Sequence, residues 1–94
     1  MIIIAGHWFA EPGRRDAAIE AFGDMLERAR KHDGCLDLSI SADPLDADRV
    51  NVFELWRDQE SLDAWRKAAK PPRGIKIRKA HVKLYRTDKA EKPI

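Results

Sequence analysis

The chain alternates between segments whose apolar residues repeat every two positions and segments whose apolar residues repeat every three or four. Ile2–Phe9 is rich in β-branched and aromatic residues and ends at a Pro-Gly turn signal in residues 11–13, which predicts a first strand. From Arg14 the helical period takes over and predicts an amphipathic helix that ends near Gly34. The apolar stripe of this helix consists of Ala18, Ile19, Phe22, Met25, Leu26 and Ala29.

The second half of the chain predicts two strands, a helix and a final strand. Leu36–Ser41 alternates strictly between apolar and polar residues, and Val50–Trp56 forms the next strand. Asp58 can cap a helix that Pro71-Pro72 terminates, and Ile75–Tyr85 gives the last strand. The buried side of the first of these strands is predicted to carry Leu36, Leu38 and Ile40, and one side of the last strand carries Ala80, Val82 and Leu84.

The predicted order, βαββαβ, is that of a ferredoxin-like α+β domain with an antiparallel sheet and both helices on one face. We predict one such domain over residues 1–86, followed by a polar tail over residues 87–94. The first and third strands are apolar on both faces, but two helices can cover only one face. A second copy related by a two-fold axis would cover the other. The sequence therefore predicts a homodimer in which two sheets face each other.

Composition narrows the classes of partner and compartment. The net charge is only +2 and acids alternate with bases, which argues against a nucleic-acid partner. The single cysteine, Cys35, cannot form an intrachain disulfide, and we expect a buried, unreactive thiol. The amino terminus lacks the positive region of a signal peptide, and its apolar run is too short to cross a membrane. We therefore expect a cytoplasmic protein with no membrane partner.

The candidate chemistry centres on aromatic residues. Three tryptophans, Trp8, Trp56 and Trp65, suit the wall of a pocket, although core filling is the alternative. His7 and Asn51 are polar groups within apolar strands, and a buried polar group needs a partner, so together these residues favour a cavity. Only one of the neighbours His7 and Trp8 can face the helices. We predict that His7 does, with Trp8 on the dimer side. The histidines lack metal-ligand spacing, and no metal site is expected.

Four segments carry a family resemblance: EPG at residues 11–13, DGCL at 33–36, DRVNVFELW at 48–56 and ESLDAW at 60–65. In this order and spacing they resemble the antibiotic biosynthesis monooxygenase family, and the resemblance runs from about residue 2 to residue 85. It implies a dimeric α+β barrel in which each subunit has a pocket between its sheet and its helices.

The family is chemically mixed, and the resemblance carries over no complete catalytic set. One branch is similar to cofactor-free oxygenases that oxidise quinols and polycyclic phenols. Trp56 matches a pocket tryptophan of that branch, but Val52 and Ile40 stand where it has an asparagine and a tyrosine. Another branch degrades haem. Trp65 matches its helix tryptophan, whereas Ile75 replaces the histidine that ligates its iron.

The resemblance thus implies a cofactor-independent monooxygenase acting on a small aromatic, quinol-type substrate. Without flavin or metal, the substrate anion must supply the first electron to oxygen, so the protein must deprotonate the substrate and stabilise its anion. We predict that His7 is the base and that the substrate is bound by Trp8, Asn51, Trp56 and Trp65. The alternatives are a non-catalytic ligand-binding or interaction module of the same fold, or an isomerase-type small-molecule enzyme.

Overall fold

A computed structural model describes residues 1–94. The elements are β1 (Ile2–Phe9), α1 (Arg15–Ala21), α2 (Gly23–Arg30), β2 (Cys35–Ala42), β3 (Arg49–Trp56), α3 (Gln59–Ala68) and β4 (Arg78–Arg86). The strands form one antiparallel sheet in the order β2-β3-β1-β4, and the helices lie on one of its faces. This arrangement confirms the predicted ferredoxin-like α+β fold. None of the helices combines the length and apolar composition needed to span a membrane.

The sheet register decides which residues meet the helices. β1 and β3 pair so that Trp8 lies opposite Val50 and Ile2 opposite Trp56, and these four side chains are buried beneath the helices. Residues of the other parity point to the face that the helices do not cover, and we call this the open face. Its apolar side chains on the two central strands, half-buried in the single chain, are Ile3, Ala5, Phe9, Phe53 and Leu55.

The first helical segment is broken at Phe22, where a single helix was predicted. The Phe22 amide donates to the carbonyl of Ile19 at 3.0 Å, three residues back, so the turn tightens between α1 and α2. Gly23, a poor helix former, follows directly. The tightened turn carries the Phe22 ring into the core beside Trp8, with ring centroids 6.1 Å apart. The apolar stripe therefore remains on one side despite the break.

Two predicted local signals are confirmed, the cap of α3 and the glycine turn between α2 and β2. The Asp58 carboxylate caps α3 by accepting a 2.8 Å hydrogen bond from the Ser61 amide. These bonds to Ser61 and the neighbouring Arg57 lower the pKa of Asp58 to about 2. Gly34 adopts a φ of +82° beside Ser61, and a Cβ at this glycine would overlap the Ser61 side chain. The close packing of α3 on this turn thus depends on glycine.

The two edge strands differ from their predicted forms. A register shift between Cys35 and Asp37 forms a bulge in β2, and Leu36 turns outward and is exposed, contrary to its predicted core position. Leu38 remains fully in the core. The last strand begins at Arg78 rather than Ile75, because Ile75 instead packs against the cluster that includes Trp8 and Phe22. Residues 87–94 contain no helix or strand.

Candidate active site

A cavity of about 210 Å³ lies between the helix-covered face of the sheet and helices α2 and α3. Its wall is almost entirely apolar. The main apolar side chains around it are Trp8, Met25, Leu38, Ile40, Val52 and Trp65. Glu54 is the one charged residue in this wall. An apolar chamber with a few polar groups is the usual form of a small-molecule site.

The structure reverses the predicted orientations of His7 and Trp8. Trp8 is 4% exposed, packs against Phe22 and lines the cavity, whereas His7 lies on the open face. The strand β1 is apolar on both faces, so its sequence does not decide which of these two bulky residues faces the helices. In the structure the indole of Trp8 is the one buried under the helices. His7 therefore lacks the geometry of a base for this cavity, and Trp8 takes the pocket position.

Glu54 lines the cavity but is not among the site residues predicted from the sequence. It alternates with Val52 and Trp56 on the helix-covered side of β3, so its carboxylate points into the chamber. The Trp56 indole Nε1 donates to Glu54 Oε1 at 2.9 Å. This bond orients one carboxylate oxygen. The signal available in the sequence was the parity of Glu54, which places a charge among inward-facing apolar residues.

Trp56 itself does not line the cavity, contrary to the prediction that it borders a common pocket with His7 and Trp65. It is fully buried behind the wall, and its ring stacks on Trp65 with centroids 6.2 Å apart and planes 25° apart. Its contribution is thus to support two residues that do reach the cavity, Glu54 and Trp65.

The cavity-lining indoles differ from Trp56 in their hydrogen bonding. Trp8 and Trp65 are each at least nine-tenths buried, yet neither indole N–H donates to a protein group. Indole is only a donor, and neither nitrogen is a buried atom without a partner, so each N–H is reachable from solvent. These two N–H groups are therefore available to an acceptor atom of a bound molecule.

The predicted ligand residues on the open face form a separate polar cluster. His7 pairs with His81 on β4, with ring centroids 5.3 Å apart, and burial, followed by the positive charges of Arg49 and His81, lowers the His7 pKa. Asn51 accepts a 2.8 Å bond from Arg49 Nε and donates a 3.0 Å bond to Asp43. Its amide is thus occupied in holding the turn between β2 and β3, and it lies on the opposite side of the sheet from the cavity.

Other candidate groups fall outside the cavity. Cys35 is half-buried, and burial, with Glu54 as the next contribution, raises its thiol pKa. Ile75, at the position of the haem-ligating histidine, borders a small pocket against α1 and not the central cavity. No group of three or more His, Cys, Asp or Glu side chains is arranged to hold a metal ion. The residues present therefore do not fit haem ligation of the kind that the family resemblance implies.

A second, more open space adjoins the cavity on the outside. This outer cleft, about 540 Å³, is lined by Asp24, Arg28 and His32 on the α2 side and by Trp65, Ala68 and Lys70 on the α3 side. Trp65 is the only residue that lines both spaces, so the cavity and the cleft meet at this residue. The Arg28 guanidinium carbon lies 5.8 Å from the Trp65 ring centroid.

Comparisons with known proteins agree with this architecture. Residues 1–72 match the family model described as antibiotic biosynthesis monooxygenase. A conserved protein from Methanosarcina mazei superposes with a TM-score of 0.70 at 18% identity, covering 93% of this chain and 92% of the other. Candidate antibiotic biosynthesis monooxygenases from Deinococcus radiodurans and Nitrosomonas europaea each superpose with a TM-score of 0.71. Their identities are 17% and 15%, covering 100% and 93% of this chain and 99% and 98% of theirs. No curated protein matches the sequence.

Proposed function

From the premise that this chain belongs to the antibiotic biosynthesis monooxygenase family, we propose that it is a cofactor-independent monooxygenase of a small aromatic, quinol-type substrate. The observation that carries the proposal is the single carboxylate of Glu54, held by Trp56 in a cavity wall whose other residues are apolar except Ser39. The cavity volume of about 210 Å³ suits a molecule of one to three fused rings.

Glu54 is the proposed general base. Its Oε1 atom accepts the Trp56 hydrogen bond, which leaves Oε2 to accept the proton of a phenolic hydroxyl. The apolar surroundings would strengthen the electrostatic interaction between this carboxylate and a nearby substrate group. His7, on the other face of the sheet, is not part of this proposal.

Trp8 and Trp65 are the proposed binding residues. The Trp8 ring offers an apolar surface to an aromatic substrate, and the unpaired indole N–H groups of Trp8 and Trp65 can donate to the phenolate oxygen that deprotonation creates. Preorganised donors of this kind stabilise the charge without rearrangement. Trp56 acts indirectly, through its bond to Glu54 and its stacking on Trp65.

The proposed reaction in the cavity begins with the transfer of one electron, because ground-state O₂ does not react directly with a closed-shell substrate. The substrate anion transfers one electron to O₂, and the resulting radicals combine to form a carbon–oxygen bond. Loss of water from the hydroperoxide leaves a carbonyl, so a phenol and O₂ give a quinone and H₂O. The protein supplies proton transfer, anion stabilisation and exclusion of bulk water. The substrate supplies all the electrons.

We also infer that two copies associate through the open face. The support is the row of half-buried apolar side chains on β1 and β3, which the helices leave uncovered, flanked by Tyr85 of β4, which is exposed. A domain this small buries a limited share of its surface alone, so association would add to its stability. The occupant that fits this two-sided sheet is a second copy of the chain.

Oxygen uptake with a panel of naphthols tests the function. The probes are 1-naphthol and 1,5-dihydroxynaphthalene, in a buffer that contains a metal chelator. We expect protein-dependent consumption of O₂ and formation of the corresponding quinone. One atom from ¹⁸O₂ should appear in the new carbonyl. Probe binding without oxygen uptake by any member of the panel would favour the non-catalytic ligand-binding module, and ring-isomer formation without uptake would favour an isomerase.

A further inference from the structure

The outer cleft between α2 and α3 has a charge pattern opposite to that of the cavity behind it. Arg28 and Lys70 place two permanent cations in the cleft wall, and His32 adds a titratable group. The only acid there is Asp24, whose Oδ2 atom accepts a 2.9 Å hydrogen bond from Arg28 Nε. Lys70 has no ion-pair partner. The cleft thus carries net positive charge, whereas the cavity wall carries the Glu54 carboxylate.

The positive charge extends beyond the cleft. Residues 64–87 contain lysine and arginine but no aspartate or glutamate, and none of these cations forms an ion pair. This segment runs from the second half of α3 through the cleft residue Lys70 to β4, which supplies Val82 to the cavity wall. Of these cations Lys70 lines the cleft, and the others add to the positive potential that attracts anions to this side of the chain.

Trp65 is the residue at which the two spaces meet. Its ring is held on one side by the stacked Trp56 and on the other by the edge of His32, at centroid distances of 6.2 Å and 5.5 Å. Arg28 lies over the same ring and fastens the end of α3, through bonds of 3.3 Å and 2.8 Å to the carbonyls of Ala68 and Ala69. A guanidinium has five N–H donors, so Arg28 retains donors for an incoming anion after making its three protein bonds.

From this polarity we propose that the substrate is a bipolar aromatic molecule, with a phenolic end in the cavity and an anionic group, such as a carboxylate, in the outer cleft. The proposal rests on the proposed function for the identity of the reacting end. An anion inside the cavity would face Glu54, and an anion in the cleft would face Arg28 and Lys70. Charge therefore selects both the substrate and its direction of binding.

Calorimetric titration with two matched probes tests this inference without requiring turnover. We compare 2-naphthol with 6-hydroxy-2-naphthoate, which adds a carboxylate at the end opposite the hydroxyl. We expect the carboxylate probe to bind about fivefold to tenfold more tightly, the combined effect of two partly solvated charge contacts. Raising the salt concentration from about 0.05 to about 0.5 M should reduce this preference, because the Debye length shortens several-fold.

Variants assign the preference to the cleft. Lys70→Gln and Arg28→Gln should each reduce the ratio of the two affinities, with the 2-naphthol affinity changing much less. Lys70→Gln leaves the Arg28 bonds to α3 intact. It therefore tests whether the cleft charge causes the preference for the carboxylate probe, even if Arg28→Gln loosens the helix. Arg14→Gln, at the small pocket beside α1, is the control and should preserve the ratio.

Equal affinities for the two probes, or a preference that survives both cleft variants, would overturn the inference. Failure of both probes to bind would also overturn it. A preference that disappears in the cleft variants, in a protein that consumes no oxygen, would leave the bipolar ligand in place and remove only the monooxygenase activity.

Discussion

The indole of Trp56 donates a 2.9 Å hydrogen bond to the carboxylate of Glu54, two residues earlier on the same strand. Residues two apart on a strand point to the same side, so this pair joins a fully buried ring to the single charged group of the cavity wall. The bond explains how a carboxylate can be held at a defined place in an apolar chamber.

The first prediction concerns this pair. Glu54→Gln removes the proposed base but keeps a side-chain oxygen for the Trp56 donor, so the protein should fold normally and lose roughly 10²–10⁴-fold in turnover. Trp56→Phe keeps the Glu54 carboxylate but removes the hydrogen bond that orients it, and we expect a smaller loss of turnover. Initial rates of oxygen uptake with the naphthol panel measure both. His7→Ala is the matched control, and a loss as large as that of Glu54→Gln would return the catalytic role to the open face.

The second prediction concerns association. Light scattering at micromolar concentration should give about twice the chain mass of 10.8 kDa, because the helices leave the apolar side chains of the open face uncovered. We expect an interface of at least the standard size, about 1,600 Å² in total. Phe53→Lys places a charge in the centre of that face and should shift the protein toward monomer. Leu45→Lys, on the exposed β2–β3 turn, should remain dimeric. A monomeric parent protein would refute the inferred interface.

The third prediction concerns acid stability. The pKa of Asp58 is about 2 in the folded protein and about 4 in an unfolded chain, so the unfolded state binds its proton first as the pH falls. The stabilisation is complete above about pH 4 and is lost toward about pH 2. Asp58→Asn should lower the midpoint temperature at neutral pH by a few degrees and flatten its fall in acid. Asp63→Asn, in the same helix but outside the cap, serves as control. Parallel pH profiles for Asp58→Asn and the parent would contradict the assignment.

The fourth prediction concerns haem. Because Ile75 has no ligating atom and borders a different pocket, haemin titration should give weak, non-saturating spectral change and no ascorbate-driven breakdown. A sharp Soret band of a histidine-ligated complex at one equivalent would contradict this. His32→Ala would then show whether the histidine beside Trp65 had become the ligand.

Much of the fold followed from sequence periodicity, because local signals and packing agree in most of the chain. The Asp58 cap and the Gly34 turn were predictable, since each depends on a residue type with a specific backbone role. The break at Phe22 was not, because the stripe of apolar residues continues through it. The outward turn of Leu36 depends on a bulge set by pairing with β3, which strand alternation alone does not indicate.

The site was less predictable than the fold, for a physical reason. β1 has apolar bulk on both sides, so hydrophobicity gave no basis for choosing between His7 and Trp8, and shifting the assignment by one residue exchanges the two faces. Polar character suggested His7 and Asn51 as pocket groups, but both lie on the open face. Glu54 shares the strand parity of Val52 and Trp56, which was the available signal, but its bond to Trp56 and its place in the cavity wall appear only in the folded structure.

The stacked pair of Trp56 and Trp65 should also give the protein an intrinsic spectroscopic signal. All three indoles are nearly sealed from water, so native emission should lie at short wavelength, and two rings at 6.2 Å should couple their transitions and give a strong signal in near-ultraviolet circular dichroism. If a molecule binds against Trp65 as proposed, it should change the signal of this pair, so its binding could be followed without a label.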